Sequence, residues 1–540
     1  MGVTAEPRAF LTVDLGAATT AVACIGHVSG AWRLLGSLAV PAAADLERTV
    51  ELLLARIAAA DPRIASATGI GAATGVISAD VLPRIEARSR RPGRLAIVAG
   101  SDRSLAALTA CAARSGWHIA GASVQSTDPL SMTRLLVDRS VDAILAGADD
   151  PPGADERGAL RELAALVAAA AARIPSVPVI LAGAMSEGLA AFGDMNGRPG
   201  EVLLGPSARA EDGWPLVHLL IEAALAPDDG RRAVAAATQS LADVLDRRIE
   251  TVVLGHDAAV RVIAGPSAGA SDALTRTAIV PTAAVAPDEP DDSVVDGVNV
   301  WMTIAADRHR IRDRMRELRV APWADAAGDG AALRMAAARA ALSRLDVATS
   351  AIASAVPPDL VITASGAWTG VPAPAVALAV VDVVRRPGAS QIALDHARLL
   401  GPLGAIGDAG ERRAVLADLA DDLLVPLGTV VTPAGLRAGR SAGTLRLHGP
   451  SGDGTLDLVP GGLELVDLPP GAAATAEFTF RDPVRVGTRG RHFAIDVTGG
   501  LGGLLVDLRD VPLRLPERAD RRRDLLAAWQ GALWAGGEVG

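Results

Sequence analysis

Phe10-Leu-Thr-Val-Asp14-Leu-Gly16-Ala-Ala-Thr19-Thr20-Ala-Val-Ala-Cys24-Ile25 reads as a buried strand, a tight glycine turn and a returning strand. An acidic residue closes the first apolar run, a glycine lets the backbone approach a ligand, and hydroxyls with free amides follow. That combination is what a phosphate and its magnesium ion need. Asp14 is placed to face the metal through water, and Gly16, Ala17, Thr19 and Thr20 to face the phosphates. The second apolar run continues through residues 26–37, which predicts a β-meander. An edge hairpin with an ordinary glycine turn is the plainer reading of the same residues.

Composition narrows the chemistry. The chain has 540 residues, half of them hydrophobic, enough for about three or four domains with their own cores. A net charge of -10 argues against a general nucleic-acid surface, which needs concentrated positive charge. All 52 basic residues are Arg, and Tyr is absent as well. Without a Lys amine, a Walker-type phosphate loop, a protein kinase centre and a pyridoxal phosphate Schiff base are excluded. Cys24 and Cys111 stand far apart with no paired Cys or His spacing, so neither a zinc site nor a disulfide scaffold is expected. The opening residues carry no secretory pattern, which points to the cytoplasm. The apolar stretch 360–381 is broken by Ser365, Gly366, Gly370, Pro372 and Pro374, so it reads as strand, loop and helix and no membrane span is expected.

Along the chain, residues 45–60 show apolar positions at helical spacing, stopped by Asp61-Pro62. Residues 67–76 form a Gly-rich connector. From residue 94 strands and helices alternate as far as residue 204, which predicts a doubly wound parallel α/β domain. Ligands in such sheets lie beyond the strand ends, here Gly100-Ser-Asp102, Gly147-Ala-Asp149-Asp150 and Gly183-Ala-Met185, although short Gly/Asp loops are also ordinary connectors. Helices are expected at 208–226 and 231–246. Residues 249–264 then repeat the strand, glycine turn, strand shape of the opening, with Val253 where Asp14 stood and Ala258-Ala259 in place of Thr19-Thr20. Residues 281–296 read as a surface loop. Residues 307–319 read as a solvated helix in which Asp307, Asp313 and Glu317 pair with the interleaved Arg residues. The buried strand that ends at Ser365-Gly366 offers a small-residue turn where an adenosine ring could lie against backbone. Past Pro426 short strands with frequent Gly predict a small β domain, and residues 517–534 a closing helix.

Five stretches in this order, Asp14-Leu-Gly16-Ala-Ala-Thr-Thr, Asp142-Ala-Ile-Leu-Ala-Gly147, Asp359-Leu-Val-Ile-Thr-Ala-Ser-Gly366, Leu427-Gly-Thr-Val-Val-Thr-Pro433 and Gly499-Gly-Leu-Gly-Gly-Leu-Leu-Val-Asp507-Leu-Arg509, resemble the glutamate mutase L family. That family resembles the actin, heat-shock chaperone and sugar kinase superfamily, and the likeness covers nearly the whole chain. It implies a two-lobed actin-like ATPase fold of α/β class with an inserted doubly wound α/β domain and a C-terminal small β domain. The implied division is a first lobe at 1–92, the insert at 93–204, the second lobe at 205–425, the β domain at 426–516 and a helix with tail at 517–540. It also implies ATP or ADP with magnesium as ligand, and service to an adenosylcobalamin-dependent carbon-skeleton mutase as an assembly or reactivation factor. On this resemblance Asp14, Gly16, Thr19 and Thr20 match the first phosphate motif and Ser365-Gly366 the adenosine turn.

Two departures bear on turnover. The family's hairpin usually ends in a Lys where Ala21 stands, and its second phosphate motif usually carries Asp and Thr where Val253, Ala258 and Ala259 stand. Losing a carboxylate that orients water or magnesium removes much of the electrostatic catalysis of phosphoryl transfer. The expectation is therefore a nucleotide-binding accessory protein with ATP turnover weak or lost. Two alternatives stay open: an active ATPase or small-molecule kinase in which Asp257 or Asp272 replaces the missing acid, and a partner-binding scaffold without a nucleotide. Cobalamin itself is not indicated, because no Asp-x-His-x-x-Gly pattern occurs.

Overall fold

A computed structural model describes residues 9–68, 70, 82–152, 154–174, 176–189, 201–224, 230–267, 275–322, 328–353, 356–437, 441–449 and 452–532. The chain is mixed α/β and forms two units. One comprises Met1–Arg90, Gly230–Thr277 and Ala283–Gly540, the other Arg91–Asp229 with Ala278–Thr282. The connector at 67–76 and the alternative acid Asp272 fall largely or wholly outside the described residues. Among the described residues no helix is long and apolar enough to cross a membrane.

In the first unit, β1 (Ala9–Leu15), β2 (Thr19–Val28) and β3 (Ala31–Pro41) form the expected meander. With β4 (Arg84–Arg88) they make a sheet of order β3-β2-β1-β4. Leu11, Val13, Val22 and Cys24 project from one face onto Val50, Leu53, Leu54 and Ile57 of the helix Leu46–Ala60. Those four helical residues recur at the spacing that lines one side of a helix. Asp45 starts that helix by accepting from the Arg48 amide at 3.1 Å, which satisfies one of the donors a helix N-terminus leaves free.

The second unit holds β5 (Arg94–Ala99), β6 (His118–Ser123), β7 (Ala143–Gly147), β8 (Val179–Ala182) and β9 (Val202–Gly205) in the order β6-β5-β7-β8-β9. Every neighbouring pair is parallel. Ala96 and Val98 point into one core and Leu95, Ile97 and Ala99 into another, so both faces are covered, as a parallel sheet requires. Between β8 and β9, where the alternation predicts a helix over 186–192, the described residues form a 3-10 turn, Gly183–Leu189. The helix read as 208–226 is Gly213–Ala223. At the strand ends the acidic loops knit to their neighbours: Ser126 Oγ donates to Asp102 at 2.7 Å, and Asp149 accepts from Ser104 at 3.2 Å and pairs with Arg209.

Back in the first unit, β10 (Ile249–Leu254) and β11 (Ala259–Ala264) form the second hairpin. The next strands are β12 (Arg276–Val280), most of which belongs to the second unit, then β13 (Leu360–Ser365), β14 (Gly388–Asp395) and β15 (Leu424–Thr432) of the first. After them come β16 (Gly443–Gly449), β17 (Gly452–Leu458), β18 (Leu463–Val466), β19 (Ala473–Val486), β20 (Thr488–Thr498) and β21 (Leu504–Asp507). From β11 onward the large sheet runs β11-β10-β13-β14-β15-β21-β18. Three of the late strands thus extend this sheet, while β17-β16-β19-β20 form a separate four-stranded sheet. Phe478, Phe480 and Leu445 of the small sheet share a core with Val431, Leu504 and Val506 of the large one.

The segment 281–296, read as a surface loop, is not one. Ala283, Ala284, Val285 and Ala286 are buried, and the Val285 amide donates to Gly255 O at 3.0 Å. Four small apolar residues pack where the flanking Pro and Asp residues suggest exposure, and residues 292–301 are already helical. The Arg-rich segment forms the helix Arg308–Val320, with Arg314–Glu317 and Arg316–Asp313 paired along it and Ile311, Met315 and Leu318 turned inward.

Candidate functional site

The two hairpins are built alike. In each, a glycine amide donates to the carbonyl three residues on at 3.0 Å: Gly16 to Thr19 and Gly255 to Ala258. A Cβ at Gly16 would lie 2.8 Å from Thr19 O, and one at Gly255 2.6 Å from Ala258 O, so both turns require glycine by close approach. Asp14 pairs with Ala21 across the first hairpin and Val253 with Val260 across the second. The strand beside each is parallel, β4 next to β1 and β13 next to β10. Asp14 and Val253 are therefore register equivalents, as are Thr19 and Ala258.

These hairpins line one cleft of the first unit, together with Ser89, Gly230, Asp395, Arg398 and the turn at Ser365-Gly366. Of the residues read from sequence, Asp14, Gly16, Ala17, Thr19, Ser365 and Gly366 all border it. Thr20 does not: it follows Thr19 in β2, and strand alternation turns it to the other face, where it is buried. Thr19 meets the Ser365-Gly366 turn directly, since a Cβ on Gly366 would sit 2.5 Å from Thr19 Oγ1. The Ser365 hydroxyl accepts from the Ala367 amide at 2.8 Å and so serves its own turn. The cavity that remains is about 70 Å³, room for a few waters and well below the several hundred Å³ usual for a ligand pocket.

Arg398 fills the space between Asp14 and Thr19. Its Nε lies 3.2 Å from Asp14 Oδ2, its Nη2 is 3.5 Å from the Asp14 carbonyl, and its Nη1 donates to Thr19 Oγ1. Nε is nonetheless off the hydrogen-bonding direction and counts as a buried donor without an acceptor. The backbone of Arg398 is left-handed, with φ of 56°, a conformation that costs a non-glycine residue roughly 1 kcal/mol or more. Burial pushes the Asp14 carboxyl above the usual carboxylate range, and the Arg398 guanidinium opposes that push.

Three further groups went unread. Asp395 ends β14 and accepts from the Leu399 and Leu400 amides at 2.9 and 3.0 Å, holding the start of the helix Leu400–Gly404. Burial lifts its pKa to about 6, against those hydrogen bonds and with help from the Asp14 charge. His256, in the second turn, is buried; desolvation, then Arg319 and Arg398, hold its pKa down to about 3, so its ring is neutral. Arg319 pairs with Asp257 at 2.7 Å and with Asp288 at 2.8 Å, and donates to Ala286 O at 2.7 Å. Asp257, one of the acids considered for the missing role, is thus committed to Arg319. An Asp closing an apolar strand, as in Ile392-Ala-Leu-Asp395, is the same signal that marks Asp14, and could have found Asp395. Nothing in the sequence separates Arg398 from the other arginines.

Among the described residues no three His, Cys, Asp or Glu side chains gather in a way that could hold a metal ion. Asp14 offers one carboxylate, which suits a magnesium ion that keeps its waters and takes its remaining oxygens from a bound phosphate. That fit requires Arg398 to release Asp14. Gly230 and Arg231, the first residues of the helix Gly230–Leu245, also border the cleft, and a helix start favours an anion there.

No protein-family model matches the chain, and a search of curated proteins finds no match. Among solved structures, an acetone carboxylase in its nucleotide-free form, from work on ATP-dependent acetone carboxylation, is 11% identical. It covers 83% of this chain and 80% of its own, with a TM-score of 0.32. The type II variant of the Ppx/GppA phosphatase from Aquifex aeolicus is 10% identical and covers 77% and 90% at a TM-score of 0.19. A further Ppx/GppA family member from Aquifex aeolicus is 9% identical and covers 77% and 88% at 0.20. Likenesses this slight decide nothing about the chemistry of the cleft.

Proposed function

We propose that this chain is a nucleotide-binding accessory protein whose cleft takes ATP or ADP with magnesium and whose ATP turnover is weak or lost. The observation that carries the reading is the pair of matched glycine hairpins on one cleft, with a carboxylate in the first and Val253 at the equivalent position of the second. Two backbone turns and a helix start facing one space supply amides for phosphate oxygens, and Asp14 supplies the group for hydrated magnesium. The second hairpin carries no carboxylate at the equivalent position, and the other acids of the cleft are engaged, Asp257 with Arg319 and Asp395 with the Leu399 and Leu400 amides, so a group to orient water or metal for phosphoryl transfer is not in place and much of that catalysis is lost. In this reading the repeated halves are the two lobes of an actin-like fold, and residues 93–204 are an insert between them. Service to an adenosylcobalamin-dependent mutase is supported by the sequence resemblance alone.

The commitment of Asp257 to Arg319 weighs against the active ATPase alternative. A magnesium-ATP titration by calorimetry, run beside a phosphate-release assay, tests the proposal. Binding with little or no release supports it, binding with sustained release supports an ATPase, and no binding leaves a scaffold.

A further inference from the structure

We infer that Arg398 is the phosphate-recognition residue of this cleft, and that a polyphosphate ligand draws its guanidinium away from Asp14 and Thr19. This rests on the nucleotide reading only in taking the ligand to carry a chain of phosphates. A chain without Lys can meet phosphate charge with a cationic side chain only through Arg, and Arg398, beside Arg231 in the cleft lining, reaches the hairpin turn where phosphates would lie. Its three nitrogens meet Asp14 and Thr19, the two residues of the first hairpin best suited to a metal and a phosphate oxygen. A guanidinium presents a planar fork that matches phosphate oxygens two at a time.

The contacts it now makes are incomplete. The Nε proton lacks a well-directed acceptor although the group is largely buried, and a buried donor gains by finding one. The exchange also balances charge. Without ligand, Arg398 pairs with Asp14; Asp14 would hold hydrated magnesium in the liganded cleft, and the Arg398 guanidinium, no longer needed as its counter-charge, would turn to the phosphate oxygens. Asp395 holds the loop beneath Arg398 through its bonds to Leu399 and Leu400, and the cleft, about 70 Å³ as it stands, must also widen to admit the ligand.

The test is calorimetric titration of the full chain with magnesium tripolyphosphate and with magnesium ATP, in the wild type, Arg398→Gln and Arg398→Lys. Tripolyphosphate has no nucleoside, so it separates the phosphate site from the adenosine site. The expected result is wild-type binding of tripolyphosphate, a loss of about ten- to hundredfold for both ligands in Arg398→Gln, and an intermediate loss in Arg398→Lys. Equal or tighter binding by Arg398→Gln overturns the inference and makes Arg398 a plug. If ATP binds the wild type and Arg398→Gln alike, the inference falls and the nucleotide reading stands. If tripolyphosphate binds through Arg398 and ATP does not bind, the reverse holds; if neither binds the wild type, both fall. Should Arg398→Gln fail to fold, as a thermal melt would report, Arg398→Lys carries the test, and unchanged affinity for tripolyphosphate in that variant overturns the inference.

Discussion

At Asp395 and His256 burial acts on charges of opposite sign, so acid affects them in opposite ways. The folded Asp395 carboxyl, with a pKa of about 6 against an unfolded 3.8, holds a proton over an interval where the unfolded chain does not. It therefore favours the fold at low pH, and that contribution, on the order of 2–3 kcal/mol at most, is lost as pH rises from about 4 to 6. His256, held at about 3 against 6.5, stays neutral while the unfolded chain takes up a proton, so its environment weakens the fold as pH falls below 6.5. Asp395→Asn should make the loss of melting temperature between pH 7 and pH 4.5 steeper than in the wild type, and His256→Gln should make it shallower. Identical pH slopes in all three chains would show that neither group is buried as described. The first hairpin was legible at this scale because an acid, a glycine and two hydroxyls in seven residues is a chemical pattern. Arg398 was not, since it reaches Thr19 from 379 positions away, and no local pattern encodes that meeting.

The hairpins and the turn opposite them argue for a second measurement. Gly366 lacks the atom that would strike Thr19, with a Cβ there only 2.5 Å from Oγ1 and 3.0 Å from Cγ2. Gly366→Ala should cost about 1–3 kcal/mol in urea unfolding, and Thr19→Ala introduced with it should recover much of that loss. Absence of such coupling would mean that the first hairpin and the β13 turn are not pressed together. Elements with a strong period are legible in the sequence: the alternation from residue 94 onward becomes a parallel sheet, and the spacing of Val50, Leu53, Leu54 and Ile57 becomes a buried helix face. Residues 283–286 misled because composition is averaged over a window. Pro and Asp on either side mask a short run that fills the space behind the Gly255 turn.

Across the molecule, buried Arg residues join distant parts of the first unit. Arg509 lies 2.7 Å from Asp382 of the helix Ala373–Val383 and 2.8 Å from Asp507 of β21, and its guanidinium stacks on Trp529 of the helix Ala519–Ala532 at 4.5 Å. Arg385 and Arg339 complete the cluster against Asp507 and Asp382. With Asp507 and Arg509 almost free of solvent, Arg509→Met leaves carboxylates poorly compensated and should cost about 3–5 kcal/mol. An unchanged denaturant midpoint would show that the cluster does not hold these elements. Three of the late strands are tied into the large sheet by pairings such as Thr429 with Leu504, which lie far apart in sequence and leave no local trace.

The matched pairing of the two glycine turns makes the second a vacant socket for engineering. Val253 already borders the cleft at the position that Asp14 holds in its counterpart, and Ala258 at that of Thr19. If the chain holds magnesium ATP without turnover, as proposed, grafting Val253→Asp with Ala258→Thr should awaken slow phosphate release from it. A silent graft that still binds would show that symmetry of backbone alone does not restore a catalyst, and that what separates the two halves reaches deeper than a pair of side chains.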